Sequence, residues 1–184
     1  MSKDSAIRFA AMDIETTGLD ASYGRMLCGC FKFFDEDNVR TVTCGSYSEE
    51  PKALAQLAEW WDEADVVVHW NGKLFDVAFI NARMMIRRKQ LPKRCRPILD
   101  PQKKQIDGRW IKNKLRTRTN RLENAAIDLN LRHRKYDVPA EHWNRAAAGD
   151  TRSLAEIVQH CQRDVLITEE IMGILKHYIV RVTR

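Results

Sequence analysis

Four acidic residues and one histidine stand where they could bind metal ions and take up a proton. Asp13 and Glu15 are separated by one residue at the end of a short apolar run, so a strand would place both carboxylates on one face. Asp76 lies farther along the chain. His160 and Asp164 are four residues apart, which stacks them on one face of a helix. Adjacent carboxylates on an apolar strand repel each other, and a divalent cation is the usual compensation.

Each of these positions also has a purely structural explanation. Asp13 and Glu15 could simply end a strand in a polar turn. Asp76 could complement the dipole at the start of a helix, and His160 and Asp164 could form a surface pair on an amphipathic helix. Taken one at a time, the positions leave both explanations open, so the elements that hold them decide whether the side chains meet.

The apolar pattern predicts that the first pair lies on a strand. Alternating runs separated by turn residues indicate an antiparallel meander of three strands, at residues 7–14, 26–34 and 39–44. Acidic residues and a proline then open a helix at about residue 50. The continuous apolar run that follows indicates an interior strand at 65–70, which Asn71 and Gly72 end.

Asp76 and Asp164 are predicted to lie on helices. An apolar stripe over 74–88 places Asp76 in the first turn of one helix. The longest apolar stripe, over 154–179, predicts a C-terminal helix with His160 and Asp164 at the edge of the stripe. Shorter elements are predicted between these two helices: a strand at 97–99, a hairpin or loop at 108–119, and helices at 120–131 and 139–148.

Two of these helices have the spacing of a capping box at their starts, in which a serine, threonine or asparagine precedes a glutamate by three residues. Asn120 and Glu123 predict the start of the helix at 120–131. Ser153 and Glu156 predict the start of the C-terminal helix.

The positive charge of the chain is concentrated in one segment. Residues 83–121 contain 15 lysines and arginines but only two acids, a net charge of +13, whereas the remainder carries −7, which accounts for the total of +6. A basic stretch with so few acids favours a polyanion partner, and nucleic acid is the commonest one. Trp110 could stack on a base. The phosphates could be bound by basic side chains nearby, namely Arg109, Lys112, Lys114, Arg116 and Arg118.

The cysteines and the hydropathy pattern indicate a protein of a reducing compartment. The five cysteines are an odd number without a Cys-x-x-Cys pair, which argues against a disulfide framework or a zinc site. No apolar run approaches the length of a membrane span, and the N-terminus lacks the features of a secretory signal. We therefore expect a cytoplasmic location and no membrane partner. The 184 residues suit one domain.

Three ordered motifs resemble those of a known nuclease family. The stretch MDIETTGLD contains Asp13 and Glu15, VVVHWNGKLFDVAFI contains Asn71 and Asp76, and HCQRDVLITEEI contains Asp164. Together they resemble the motifs of the DEDD 3′–5′ exonucleases of the RNase H-like superfamily. In style they are closest to the exonuclease domain of family B DNA polymerases and its stand-alone relatives. The resemblance covers about residues 7–180.

The resemblance implies both a fold and an activity. The fold is α/β, with a mixed five-stranded sheet made of an antiparallel meander plus parallel strands and flanked by helices. It fills a single domain, 1–184, with a basic insertion at about 87–121. The activity is metal-dependent 3′–5′ hydrolysis of single-stranded DNA or frayed 3′ ends, with release of 5′-mononucleotides.

The resemblance also implies roles for individual residues. Two Mg²⁺ or Mn²⁺ ions would be held by the four carboxylates, Asp13, Glu15, Asp76 and Asp164. His160 would accept the proton of the attacking water. The terminal nucleotide and its backbone would be contacted by Thr16, Thr17, Leu19 and Asn71. In the family, a histidine in this role precedes the last aspartate with four residues between them, and a tyrosine with three. His160 has three, so it is a histidine in the tyrosine spacing.

Other functions fit the same motifs. An exoribonuclease would use the same fold, because nothing in the sequence reads a 2′-hydroxyl. The unusual spacing of His160 also fits a weakly active or inactive module that binds nucleic acid or another protein. A structure-specific endonuclease is a further alternative. An unidentified protein partner is compatible with each of these functions.

Overall fold

The computed structural model describes residues 7–95, 98, 104–109 and 119–176, and these contain a five-stranded mixed sheet in the order β3-β2-β1-β4-β5. Strands β1, β2 and β3 are antiparallel neighbours, whereas β4 runs parallel to β1, and β5 parallel to β4. The predicted α/β fold with its mixed sheet is confirmed. The strands are β1 Phe9–Thr16, β2 Met26–Phe33, β3 Arg40–Thr43, β4 Val66–His69 and β5 Lys104–Asp107.

Helices cover both faces of this sheet, which explains why all residues of β2 and β4 are buried. Helices α1 and α2 share an apolar cluster with β1 and β2 on one face, and α5 packs on the other face together with α3 and α4. The described helices are α1 Glu50–Glu63, α2 Asp76–Ile86, α3 Leu122–Asp128, α4 Ala140–Ala147 and α5 Thr151–Leu175.

The pleat of β1 determines which face receives the two carboxylates. Met12 and Ile14 pack in the cluster under α1 and α2, whereas Ala11 packs under α5. By alternation, Asp13 and Glu15 share the face of Ala11 and point toward α5. The predicted common face is therefore present, and it is the one that the C-terminal helix covers.

Some predicted boundaries are wrong. The strand expected at 97–99 is not the fifth strand, which is Lys104–Asp107. Of the expected residues only Ile98 lies within the described part of the chain, where it is a buried residue outside any strand. The predicted contacts Trp110, Lys112, Lys114, Arg116 and Arg118 also lie outside the described residues.

Both predicted helix caps are wrong as well. Helix α3 has Arg121 at its N-cap position and no capping side chain, so Asn120 does not cap it. Helix α5 is capped by Asp150, three residues before Ser153: its carboxylate accepts hydrogen bonds from the backbone N–H groups of Arg152 and Ser153 at 2.9 and 3.2 Å. Aspartate is as favourable as serine at an N-cap position. Ser153 and Glu156 therefore lie within the first two turns of the helix and do not mark its start.

Among the helices that the structure describes, none is long and apolar enough to cross a membrane.

Candidate active site

The four predicted carboxylates line one cleft. Asp13 and Glu15 come from β1, Asp76 from the first residue of α2 and Asp164 from the middle of α5, and together they border a volume of about 710 Å³. The cleft lies where the carboxyl ends of the parallel strands β1 and β4 meet, which is where α/β sheets usually bind ligands. The structure thus brings together residues up to 151 positions apart in the chain.

Asp76 is fixed to the strand that carries the first pair. Its Oδ1 atom accepts a hydrogen bond of 3.0 Å from the backbone N–H of Ile14, the residue between Asp13 and Glu15. The Asn71-Gly72 turn makes this possible. Asn71 has a φ of 68°, in the left-handed region that asparagine tolerates better than most residues. Gly72 packs against His69 so closely that a Cβ would lie 2.7 Å from the imidazole.

The carboxylates are held in an electrostatically unfavourable arrangement. Burial, reinforced by repulsion from Asp76, Asp164 and Glu15, raises the pKa of Asp13 well above its usual range. Burial and the nearby Asp164 raise the pKa of Glu15 to about 8. Burial raises the pKa of Asp76 to about 6, although the hydrogen bond from Ile14 opposes the shift. Added positive charge would relieve this cost.

One positive charge is supplied by Lys135, which the sequence-based reasoning did not identify. Its Nζ atom donates to Oδ2 of Asp164 at 2.9 Å. Burial lowers the pKa of Lys135, but the attraction of Asp164, together with Asp13 and Glu15, outweighs burial and raises it. The run Arg132–His133–Arg134–Lys135 was a detectable signal, because it is a second basic cluster outside 83–121.

His160 lies behind the cleft lining, beside Glu15 and Asp164, and its tautomer follows from its partners. The side chain is only 6% exposed, and its Nδ1 atom is hydrogen-bonded to the backbone carbonyl of Tyr136. A carbonyl can only accept, so Nδ1 carries the hydrogen. In the neutral ring Nε2 therefore has the free lone pair. It faces Oε1 of Glu15 at 3.4 Å and Oδ2 of Asp164 at 3.9 Å.

Trp143 on α4 supports this arrangement and was also missed. Its ring meets the imidazole of His160 edge to face, with centroids 5.6 Å apart and an interplanar angle of 85°. Trp143 also lies near the carboxylate of Glu15 and acts to lower its pKa, against the larger effect of burial. A single side chain thus contacts the imidazole and lies near one carboxylate of the cleft.

The residues present fit hard divalent cations. The candidate ligands are carboxylate oxygens, which suit Mg²⁺ and Mn²⁺. Oδ1 of Asp164 is buried, and no hydrogen-bond partner for it is found within the described part of the chain. In that same part, no three His, Cys, Asp or Glu side chains are already grouped closely enough to hold an ion. Since Lys135 is engaged with Asp164, an ion would have to compete with this ammonium group.

Comparison with known proteins identifies the family. Residues 10–176 match the family model RNase_H_2, described as "RNase_H superfamily". The chain belongs to the RNase H superfamily. No curated protein matches this sequence.

A solved structure agrees with this RNase H-like fold. The family B DNA polymerase from the hyperthermophilic archaeon Pyrobaculum calidifontis superposes on 94% of this chain with a TM-score of 0.75 and 16% sequence identity. The chain spans 25% of the length of that polymerase chain. At this identity the likeness establishes the fold, and the fold agrees with the RNase H-like prediction.

The predicted substrate ligands of this RNase H-like domain fall into two groups. Asn71 and Arg109 both line the cleft, and the Arg109 guanidinium is hydrogen-bonded to the side-chain oxygen of Asn71. Asp107, at the end of β5, holds the pair in place: its Oδ1 accepts from the backbone N–H groups of Asn71 and Arg109 at 3.0 and 3.1 Å. Asp107 is a further residue that the sequence-based reasoning did not assign.

The second group lies on the loop 17–24 and at its start. The hydroxyl of Thr16 donates to the carbonyl of Gly18 at 2.8 Å, and that of Thr17 accepts from the N–H of Arg25 at 3.0 Å. Both hydroxyls therefore shape the loop. Leu19 is 86% exposed, so its apolar side chain is accessible to a ligand.

Cations border the acidic floor of the cleft. Arg109, Arg121 and Lys135 line it together with the four carboxylates and with two further acids, Glu123 and Asp137. The cleft therefore combines a majority of acidic side chains with three basic ones. A phosphodiester and its metal ions would be complementary to this pattern, whereas either an anion or a cation alone would meet charges of its own sign.

A dependence of stability on pH follows from the raised carboxyl pKa values. The folded protein keeps protons on Asp13, Glu15 and Asp76 that the unfolded chain releases near pH 4. These groups should therefore stabilise the metal-free fold at low pH and lose that contribution as the pH rises toward about 8. Because metal ions bind the ionised carboxylates, Mg²⁺ should raise the melting temperature more at pH 8 than at pH 6.

Thermal unfolding at both pH values, with and without Mg²⁺, would check this expectation. Sodium chloride at equal ionic strength controls for screening. A Mg²⁺ effect that is the same at pH 6 and pH 8 would contradict it.

Proposed function

We propose that this chain is a metal-dependent 3′–5′ exonuclease, which hydrolyses phosphodiester bonds at the 3′ ends of single-stranded DNA or at frayed 3′ ends and releases 5′-mononucleotides. The observation that carries the proposal is the convergence of four carboxylates from three separate motifs in one cleft, with an imidazole beside Glu15 and basic side chains in the same lining. The family supports a nuclease in general, and the motifs supply the direction.

Asp13, Glu15, Asp76 and Asp164 would hold two Mg²⁺ or Mn²⁺ ions, which supply a more acidic water and neutralise charge on the phosphate. The buried, unpartnered Oδ1 of Asp164 and the raised carboxyl pKa values support this assignment. Cations are the groups that would make these buried carboxylates favourable.

His160 would act as the proton acceptor through Nε2. Its Nδ1–H is engaged with the Tyr136 carbonyl, so the free lone pair is directed at the carboxylates where the attacking water would lie. A positioned base of this kind contributes about 10²–10⁴-fold to a rate. Nothing in this geometry requires the tyrosine that the family usually has at this spacing.

Asn71, Arg109 and Arg121 would bind the phosphates of the terminal nucleotides. Leu19 would contact a base, which suits a single strand because its bases are unstacked and accessible. Two hydrogen bonds support a fixed position for these side chains: the one between Arg109 and Asn71, and the one that Asp107 accepts from the backbone N–H of Asn71. Lys135 could turn from Asp164 to a substrate phosphate when metal ions take over the carboxylate.

An end-labelling assay tests the proposal. DNA and RNA single strands of the same sequence, each labelled at either the 5′ or the 3′ end, are incubated with Mg²⁺, with Mn²⁺ or with a chelator. We expect a 5′-labelled DNA strand to shorten stepwise and a 3′-labelled strand to release a labelled mononucleotide at once. Faster cleavage of RNA would favour the exoribonuclease, and internal cuts would favour an endonuclease.

The engagement of Lys135 with Asp164 also favours a second candidate function, a weakly active module that binds nucleic acid without turning it over. In this case the lysine would permanently take the place of a metal ion. The same assay distinguishes the two, since this module would bind labelled strands but leave their length unchanged with either metal.

Replacing Lys135 with methionine should separate its effect on the stability of the metal-free protein from its effect on metal binding. The metal-free protein should become less stable by about 1–3 kcal/mol, because Asp164 loses its charged partner in a buried position. The melting temperature should then rise more on addition of Mg²⁺ than it does for the native chain, since no ammonium competes for Asp164. Thermal unfolding with Mg²⁺ titration measures both, and an unchanged response to Mg²⁺ would show that Lys135 does not compete.

A further inference from the structure

A second groove lies outside the catalytic cleft, between α1 and the turn that follows α2. Its volume is about 850 Å³, larger than that of the cleft. None of the residues assigned to the exonuclease motifs lines it. Its polar lining comes mainly from Tyr47, Lys52, Gln56, Glu59, Arg87 and Arg94.

The groove is built at the start of the basic segment. Residues 83–95 contain six lysines and arginines and no acid. The described part of this run forms the end of α2 and the turn after it, so Arg87 and Arg94 face the groove from one side. Lys52 lies on the other side, at the start of α1, and is exposed. The only acid in the lining is Glu59, which is paired with Arg94 at 3.0 Å.

A buried excess of positive charge lies beneath one end of the groove. The guanidinium groups of Arg25, Arg83 and Arg87 lie 5.7, 5.8 and 5.2 Å from the ring centre of Tyr47. Among these three cations, Arg83 and Arg87 share one carboxylate, the fully buried Glu50. The cluster therefore adds a positive field to a groove that is already basic.

The groove adjoins the loop 17–24, which begins two residues after Glu15 of the catalytic cleft. The hydroxyl of Tyr47 donates to the carbonyl of Tyr23 at 2.7 Å, and Arg83 donates to the carbonyl of Ala21 at 2.8 Å. Both acceptors belong to the loop 17–24, whose exposed apolar side chains are Leu19 and Tyr23. The loop therefore connects Glu15 of the cleft with the wall of the groove, and an extended strand that follows this loop would reach both.

We propose that this groove binds the phosphate backbone of a single strand of nucleic acid, upstream of the nucleotide held in the cleft. Lys52, Arg87 and Arg94 would contact phosphates. Tyr47, which is still 48% exposed, would offer an aromatic surface to a base. This proposal rests on the exonuclease function for its direction along the strand, but the binding itself does not depend on cleavage.

The test compares strands that fill only the cleft with strands that extend into the groove. Affinity is measured in chelator, so that nothing is cleaved, for single strands of about 4 and about 16 nucleotides. The variant Lys52→Ala/Arg94→Ala removes two groove cations and leaves the buried Glu50 network intact. We expect weaker binding of the long strand only. The slope of log affinity against log salt concentration should fall by about 1.4 for that strand, because two phosphate contacts are lost.

A second variant, which also removes two positive charges, serves as the control. Arg152→Ala/Arg163→Ala removes two exposed cations from α5, on the opposite face of the sheet, and should leave both affinities nearly unchanged. If the groove variant binds the long strand as tightly as the native chain, or loses short and long strands equally, the groove is not an upstream site. Absence of metal-dependent cleavage of the short strand would instead count against the exonuclease, whatever the groove does.

Discussion

Replacing Asp13 with asparagine should abolish metal-dependent cleavage and at the same time make the metal-free protein more stable. Asp13 is half-buried beside three other carboxylates, which raise its pKa together with burial. Asparagine keeps the shape but has no carboxyl group that must either hold a proton or carry a repelled charge, so the free energy of unfolding at pH 8 should rise by about 1 kcal/mol. Cleavage should fall by about 10³-fold or more, because one ligand of the metal ions is lost.

The two opposite effects make this prediction specific. Most substitutions of buried residues destabilise a protein, so a gain in stability with a loss of activity is the signature of a site maintained for function. Denaturant unfolding in chelator gives the first quantity and the end-labelling assay the second. Asp62→Asn, an exposed acid at the end of α1, is the matched control and should change neither. A destabilised Asp13→Asn, or one that still cleaves, would contradict the proposal.

The features that could be predicted from the sequence are those with a local signal. Asp13 and Glu15 were placed on one face of a strand by its period of two, and Asp164 and His160 on one helix face by their spacing of four. The order of the motifs then gave the family. These signals can be detected in a single sequence because each depends on residues within a few positions of one another.

The residues that were missed act through contacts across the fold. Lys135 and Trp143 lie in a loop and a short helix, and their relation to Glu15 and Asp164 exists only once α4 and α5 pack together. In the sequence, Asp107 is visible only as one of two acids in a basic stretch. Its role, which is to accept hydrogen bonds from the backbone N–H groups of two turns, appears only in the structure. Such contacts have no periodicity, so a pattern of residue types cannot predict them.

The misplaced fifth strand has a similar cause. The predicted strand at 97–99 is apolar, but the edge strand that pairs with β4 is Lys104–Asp107, in which only Ile106 is buried. An edge strand with one covered position gives a weak apolar signal. The single-domain boundaries with a basic insertion at 87–121, the cytoplasmic location and a protein partner stay predictions.

The second large effect is expected at His160. His160→Ala should lower kcat by about 10²–10⁴-fold with little change in KM, because in the proposed role the imidazole would take a proton from the attacking water and would not bind the strand. His160→Tyr would restore the residue usual for this spacing, yet it should be accommodated poorly. Trp143 lies 5.6 Å away and fills the space that a larger ring needs, so overpacking should cost about 1–3 kcal/mol.

Trp143 therefore explains how a histidine can serve in the tyrosine spacing, and a double-mutant cycle measures this coupling. Trp143→Ala opens the space, so Trp143→Ala/His160→Tyr should be more stable than the sum of the single effects by about 0.5–3 kcal/mol. Trp143→Phe is the conservative control: it keeps the ring contact with His160 but removes the indole N–H near Glu15. Strictly additive effects would show that Trp143 and His160 are independent.

The orientation of His160 can be read without any activity. In the metal-free native protein the imidazole nitrogens should show the Nδ1–H tautomer by NMR, because the Tyr136 carbonyl accepts from Nδ1. Trp143→Phe should keep this signature, whereas Trp143→Ala should yield a mixture of tautomers as the ring loses its support. An Nε2–H tautomer in the native protein would remove the lone pair from the cleft, and with it the role of His160 as the proton acceptor.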